Sequence, residues 1–557
     1  MTGTAQDTGH RRKDRLYWYL DFKMIKKVCI IGAGVSGITS TKHCIEAGLE
    51  PTCYEASDHV TGLWNRNNVS AVPNCTVTNT SKEMSCFSDY PMPDDFPNFM
   101  HADKFFEYFK SYIENYNLSK YFKTGCEVLS VECCDTVHGN CLCETCVKQN
   151  RKYWKVAVND KGNKIEDYFD FIIVANGFNN VPYIPEDIRQ VTKGFAGELI
   201  HSSQYRSWET FESQKIVICG LGNSAGDIGC ELSRHASQVY LATKHGNLIL
   251  SRLNFSGYPL DAKILRRSTN LVPSCLKNKF IPVICNNIFN HANFGLERDA
   301  ADPSPHSVPL INDEIATRIS TGSLLIKPAV MKTKDRKVYF NDGTFVDNVD
   351  TLILCTGYKR EFKFLKKTDL VDMGIGEKYL GLYKYIFPTK HIGKIAFIGM
   401  TGVSGSVCPV FEMQARYAVE VFKGTMKLPS DTAMNKNVSK SMEHWKQIRN
   451  KASEMMRVNF ISYQDELASE IGVKPCLWSL LLKDPVLAWH LFFGPACPYQ
   501  YRLSGPGAWD GARDTILTVD KRIWYPLNKE FTVKQSTFSY FAVLAILCLI
   551  FAVISIL

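Results

Sequence analysis

The chain has no pronounced charge of either sign, no apolar run near its N-terminus, no internal repeat and no low-complexity tract, and each absence narrows what it can be. Lys and Arg number 65 against 56 Asp and Glu, a formal net charge of +9 over 557 residues with no dominant basic block. Nucleic acid is therefore not the expected partner; anionic cofactors and an acidic membrane surface account for the balance. Residues 1–23 are polar and basic, with Arg11, Arg12, Lys13 and Arg15, and lack the apolar core of a signal peptide. The twenty cysteines are accordingly expected to be reduced thiols rather than a disulfide framework. In the stretch 126–146, Cys133, Cys134, Cys141, Cys143 and Cys146 cluster with His138 without making two CxxC pairs. An exposed insertion of thiols is expected there, and no metal site.

What the chain does have is two glycine fingerprints. Gly32-Ala33-Gly34-Val35-Ser36-Gly37 follows an apolar run at 28–31 and opens a helical pattern over 37–47 that stops at Gly48; a second apolar run, 51–54, then ends at Glu55. Glycines at this spacing permit a tight turn and close backbone approach to a pyrophosphate resting on the helix N-terminus, and the acid about 20 residues on is placed to bind a ribose. The pattern recurs at Gly220-Leu221-Gly222-Asn223-Ser224-Ala225-Gly226-Asp227, after the apolar run 216–219. Its second strand, 239–242, leads to Thr243-Lys244-His245 instead of an acid. A cation there suits a 2'-phosphate, so NADPH is expected over NADH. Two nucleotide sites in one polypeptide imply electrons passing between them. The fold expected is α/β, with two Rossmann-like dinucleotide-binding domains.

At 557 residues the chain exceeds one hydrophobic core. Residues 61–100 are proline-rich and irregular, as befits a loop-built site wall, and include Leu63-Trp64 and Thr78-Asn79-Thr80-Ser81-Lys82-Glu83-Met84. Phe171–Val174 reads as a buried strand leaving through Ala175-Asn176-Gly177. Residues 248–335 read as an irregular insertion, and strands at Thr351–Leu354 and 395–398 as the return to the first domain. A helix is expected over 409–424, carrying Gln414 and Arg416. The apolar stretch 477–493, broken by Pro485, fits a channel wall, a membrane-dipping surface or the core of a helical cap. Residues 538–557 carry no charge, and twenty residues of helix match a bilayer core of roughly 30 Å. They are expected to be a C-terminal membrane anchor, with the catalytic body on the cytosolic side.

Between the fingerprints, Phe195-Ala196-Gly197-Glu198-Leu199-Ile200-His201-Ser202-Ser203-Gln204-Tyr205 fits FxGxxxHxxxY, and on this motif the chain resembles the flavin-containing monooxygenases. GAGVSG at Gly32, TNTSKEM at Thr78, GLGNSAGD at Gly220, CTGY at Cys355 and YRLSGPGAWDGAR from Tyr501 extend the resemblance over nearly all of the chain from Met24, which is also an alternative start. The departures are Thr61 for a glycine of the usual GGxW turn, Asn176 and Cys355 at the strand exits, and the cysteine-rich insertion. The resemblance implies an FAD domain at 24–190 resumed at 351–530, an NADP domain inserted at 191–350 with its insertion at about 248–335, and an anchor at 538–557 in the endoplasmic reticulum membrane. It implies that NADPH reduces FAD, and that the flavin C4a-hydroperoxide oxygenates soft nucleophiles, amine nitrogen or thioether sulfur. Baeyer-Villiger oxygenation of ketones and NADPH oxidase activity stay open as alternatives, and so does assembly into a homo-oligomer. By the same resemblance Gly32, Ala33, Gly34, Val35, Ser36, Gly37, Glu55, Leu63, Trp64, Thr78, Thr80 and Gln414 hold FAD. Gly220, Gly222, Asn223, Ser224, Ala225, Gly226, Asp227 and Lys244 hold NADP. Asn79 lies at the reacting edge of the flavin, and His201 has a positioning role.

Overall fold

Parallel strands buried on both faces read as unbroken apolar runs, and the two fingerprint strands, Lys27–Ile31 and Lys215–Cys219, each lie at the centre of a five-stranded parallel sheet. The computed structural model describes residues 26–68, 71–134, 153–179, 181–273, 276, 290–297, 309–365, 368, 370, 380–448 and 457–527. In the first sheet the order across is Ile395–Phe397, Phe171–Val174, Lys27–Ile31, Glu50–Tyr54 and Phe122–Lys123. In the second it is Leu324–Pro328, Gln238–Thr243, Lys215–Cys219, Thr351–Leu354 and Glu198–His201. Alternation along each strand divides the cores. Val28 and Ile30 pack toward one side of the first sheet and Cys29 and Ile31 toward the other; Ile216 and Ile218 oppose Val217 and Cys219 in the second.

Each fingerprint strand runs through its glycine turn into a helix, Val35–Glu46 and Asn223–Leu232, and then into the neighbouring parallel strand. The opposite neighbour of each fingerprint strand, Phe171–Val174 or Thr351–Leu354, arrives from far away in sequence. The chain thus diverges to both sides at the carboxyl end of the fingerprint strand, the crevice where α/β sheets bind ligands.

Two expectations about the order of the chain are corrected. Thr351–Leu354 pairs with Lys215–Cys219 and Glu198–His201, so it belongs to the second sheet, and the chain rejoins the first only at Ile395–Phe397. A short strand buried on both faces carries no mark of its sheet; its partners decide. The irregular insertion is also shorter than 248–335, because Leu324–Pro328 is a main-sheet strand paired with Gln238–Thr243.

The cysteine-rich stretch begins as regular structure. Cys126–Cys134 is a strand of a three-stranded antiparallel sheet with Tyr153–Asp160 and Asn163–Phe169, with Cys126 buried and Cys133 opposite Trp154. His138, Cys141, Cys143 and Cys146 lie outside the described residues. Cys29, Cys44, Cys53, Cys86, Cys126, Cys219, Cys230, Cys408 and Cys497 are buried free thiols, and no metal-holding cluster occurs among the described residues. The expected helix over 409–424 is Cys408–Lys423, started by Pro409 and stopped by Gly424 at φ 87°.

Candidate active site

The first cradle is built by close approach. A methyl at Gly32 would lie 2.8 Å from the Ala175 carbonyl oxygen, and one at Gly37 would collide with the carbonyl oxygen of Gly32, so strand, turn and helix meet only through glycine. Gly34 caps the helix Val35–Glu46 with no side-chain hydrogen bond and no acid in its first turn, which leaves its N-terminus open to an anion. Glu55 is fixed beneath it: Oε2 accepts from Ala33 N at 2.8 Å, and Oε1 accepts from Ser57 N and Oγ at 2.9 and 2.8 Å. The carboxylate keeps lone pairs for a ribose hydroxyl. Thr61 N donates to Ala33 O at 2.8 Å, bringing the turn Gly62–Trp64 against Gly34, and Trp64 meets Phe105 edge-to-face.

The second cradle repeats the design. Gly220, at φ 117°, lets the turn pass the Cys355 carbonyl, and Gly222 caps Asn223–Leu232 without a side-chain bond or an acid in the first turn. A methyl at Gly222 would meet nothing within 4 Å, which is space for a phosphate. Gly226 lets the helix pack on Leu310, and Ala225 is buried beside it. Asn223 Oδ1 accepts from Ile311 N at 2.9 Å, so its side chain braces the cradle. Gly222-Asn223-Ser224-Ala225-Gly226 also spells GxSxG, but Ser224 is exposed and bonds no histidine among the described residues, so no nucleophile is assembled. Lys244 is exposed just past the strand Gln238–Thr243.

Asn79 lies between Thr78, bonded to Met100 of the first core, and the short helix Lys82–Ser85 of that same core, and the segment beside the second cradle reaches it through Arg252. Thr78 is buried, exchanging bonds with Met100 through its backbone and hydroxyl, and Thr80 Oγ1 pairs with Ser85 Oγ at 2.8 Å. Ser81 donates from N and Oγ to Asp261 Oδ2 at 2.7 and 3.1 Å; burial pushes the Asp261 carboxyl up to about 6 against those bonds. Arg252 donates to the carbonyls of Val77 and Thr78 and to Asn79 Oδ1. Its charge also reaches Asp227 in the second cradle, whose carboxyl burial raises to about 7 despite that cation. Arg252 and Asp261 escape sequence reasoning because they lie more than 170 residues from their partners. Only their place inside an apparently irregular insertion marked them.

Gln414 does not present its amide to a ligand. It is fully buried, with Oε1 accepting from Gly399 N at 2.9 Å and Nε2 donating to Tyr463 Oη at 2.8 Å. A side chain at Gly399 would strike Ser36 Oγ, so Gln414 supports the cradle from behind instead of binding directly. His201 has both ring nitrogens engaged: Ser203 N donates to Nδ1, leaving Nε2 to donate to Gly357 O at 3.0 Å and tie the signature to the Cys355–Tyr358 turn. Burial lowers its pKa, opposed by that bond. The signature glycine, Gly197, is needed because a methyl there would strike Phe195 and the Asp350 carbonyl, and Tyr205 donates to Glu231 of the second fingerprint helix.

Comparison with known proteins agrees with this geometry. The family model described as flavin-binding monooxygenase-like matches residues 25–557. Flavin-containing monooxygenase 2 of Homo sapiens is 39% identical over 544 residues, covering 96% of this chain and 98% of its own length. The chain belongs to the flavin-containing monooxygenase family. Flavin-containing monooxygenase 1 of Canis lupus familiaris is 38% identical, covering 94% of this chain and 97% of its own. In fold, the S-allyl-L-cysteine S-oxygenase of Allium sativum superposes with a TM-score of 0.60 at 20% identity, covering 91% of this chain and 99% of its own. An open cyclohexanone monooxygenase gives 0.55 at 13%, covering 80% and 98%. As a flavin-containing monooxygenase the chain is an FAD- and NADPH-dependent oxidoreductase, and both cradles fit dinucleotides through uncapped helix N-termini and glycine-cleared space.

Proposed function

We propose that this flavin-containing monooxygenase oxygenates soft nucleophiles, amine nitrogens and thioether sulfurs. The observation that carries the reading is the pair of glycine-opened helix N-termini in a chain matched over nearly its whole length by flavin-containing monooxygenases. FAD supplies the oxygen-activating chemistry when NADPH has reduced it. The helix starting at Val35 would hold its pyrophosphate, Glu55 its ribose, and Leu63 and Trp64 would cover it. The Asn223 helix holds the second pyrophosphate, with Lys244 on the 2'-phosphate. Asn79, whose Oδ1 is taken by Arg252, would have its amide N–H groups left to donate to an oxygen presented beside it. No residue is needed to activate the nucleophile. The test is anaerobic reduction with NADPH followed by mixing with oxygen, with an aryl methyl sulfide or a cyclic ketone. Sulfoxide formed in step with NADPH is expected; lactone as the only oxygenated product, or hydrogen peroxide alone, would overturn the reading.

A further reading is attachment to the endoplasmic reticulum membrane with the catalytic body facing the cytosol. No described helix is long and apolar enough to cross a membrane, and 538–557 lies outside the described residues. Support comes from the uncharged twenty-residue tail and from the helices Leu477–Lys483 and Pro485–Phe493. On these, Trp478 is 79% exposed, Leu482 88% and Trp489 63%, which favours a lipid surface over a core or a channel wall. Arg266 donates to Phe493 O and joins this patch to the segment after Tyr258, while Tyr258 bonds Asp520 in the helix preceding the last described residue, Leu527.

A further inference from the structure

We propose that Arg252 is a positioning residue that fixes which way the Asn79 carboxamide faces; the inference rests on the monooxygenase reading above and deepens it. Arg252 comes from the second unit, just past the short strand Ile249–Leu250, which pairs with Leu310–Ile311 beside the second cradle. Its side chain, only 10% exposed, is spent on the opposite unit. Nε donates to Thr78 O at 3.0 Å, and Nη2 donates to Val77 O at 3.2 Å and to Asn79 Oδ1 at 3.1 Å. Nη1 donates to Asp313 Oδ2 at 3.0 Å, while Asp313 Oδ1 accepts from the Arg252 backbone N at 2.8 Å, so the guanidinium is held from behind as well.

A guanidinium has donors and no acceptor. It can meet only the oxygen end of an amide, so Asn79 is held with Oδ1 toward Arg252. Nδ2 is turned the other way, and it has no hydrogen-bond partner among the described residues. An asparagine amide is nearly isosteric on rotation by a half-turn. Without the cation both orientations would be populated, and one of them would present an acceptor where the reaction needs a donor. The charge also polarises the carboxamide and strengthens its remaining N–H groups as donors. Because Arg252 belongs to the unit with the second cradle, the amide is correctly presented only while the two units are apposed, which restricts oxygen transfer to the assembled site.

The test compares full-length holoenzyme with Arg252→Gln, Arg252→Lys, Asn79→Ser and the Asn79→Ser/Arg252→Gln double variant. The readouts are bound FAD from the visible spectrum, KM for NADPH, and sulfoxide and hydrogen peroxide formed per NADPH consumed. Arg252→Gln is expected to keep its FAD and to change KM for NADPH by less than about threefold. Its yield of sulfoxide per NADPH should fall about tenfold, with peroxide rising to match. Arg252→Lys, which keeps a donor-only cation, should recover part of the yield, and the double variant should be no worse than Asn79→Ser. Unchanged yield in Arg252→Gln, or equal and additive losses in the double variant, would overturn the inference while leaving the function intact. A wild-type enzyme that makes no sulfoxide would overturn both.

Discussion

Thr61 stands where the related turn has glycine, and the backbone has not adjusted: φ is 78°, in the left-handed region that a β-branched residue avoids. Its hydroxyl is buried without a hydrogen-bond partner. Strain at such a position costs on the order of 1–3 kcal/mol, and glycine gives back part of the gain through its freer unfolded state. Thr61→Gly is therefore expected to stabilise the protein by about 1 kcal/mol, seen as a higher urea midpoint at unchanged slope; a lower midpoint would show that the threonine methyl is worth more than the strain. The departure could be seen in the sequence, but its backbone angle could not. Glu55 was legible because its partner Ala33 is only 22 residues away, at the spacing a strand-helix-strand unit imposes. Arg252 was not, because its partners are brought to it by the meeting of two units.

At the scale of elements, the fingerprint helix Val35–Glu46 is locked from behind by buried charge. Lys42 pairs with Asp89, and His43 lies between Glu46 and Glu412 of the helix Cys408–Lys423. Arg502, on the turn Pro498–Arg502, places Nη2 2.8 Å from both Glu412 and Asp89, while Nε donates to Ser88 Oγ at 2.6 Å. Burial alone would raise the Glu412 carboxyl, but His43 and Arg502 hold it well below the ordinary range. Removing Arg502 takes from the buried Glu412 and Asp89 the cation they share and leaves them only His43 and Lys42, a loss of about 3–5 kcal/mol. Arg502→Met should accordingly unfold at lower urea and lose FAD on purification, and an unchanged midpoint with normal yellow colour would contradict that account. The YRLSGPGAWDGAR motif was readable as a family mark. Its work, pinning the first cradle from the far end of the chain, was not, since nothing in its residues names Glu412 or Asp89 as partners.

Over the whole molecule, two parallel sheets each present a glycine turn, Arg252 reaches from the segment beside the second to the loop carrying Asn79, and the helices Leu477–Lys483 and Pro485–Phe493 expose an apolar patch. If that patch rests on lipid, a chain lacking 528–557 should still sediment with vesicles containing anionic phospholipid. Adding Trp478→Glu, Leu482→Glu and Trp489→Glu should release it, whereas retention of the triple variant would remove the patch from the membrane account. By itself the sequence determined both nucleotide cradles, the family and the apolar tail, because each cradle, each family motif and the tail is a local pattern written in residues within about 30 positions of one another, at spacings set by strand and helix geometry. Only the tertiary structure decided that Thr351–Leu354 belongs to the second sheet, that Gln414 works behind the cradle, and that Arg252 reaches Asn79. Those are contacts between segments far apart in the chain, and local residue patterns do not record which distant partner a buried strand or a long side chain will meet.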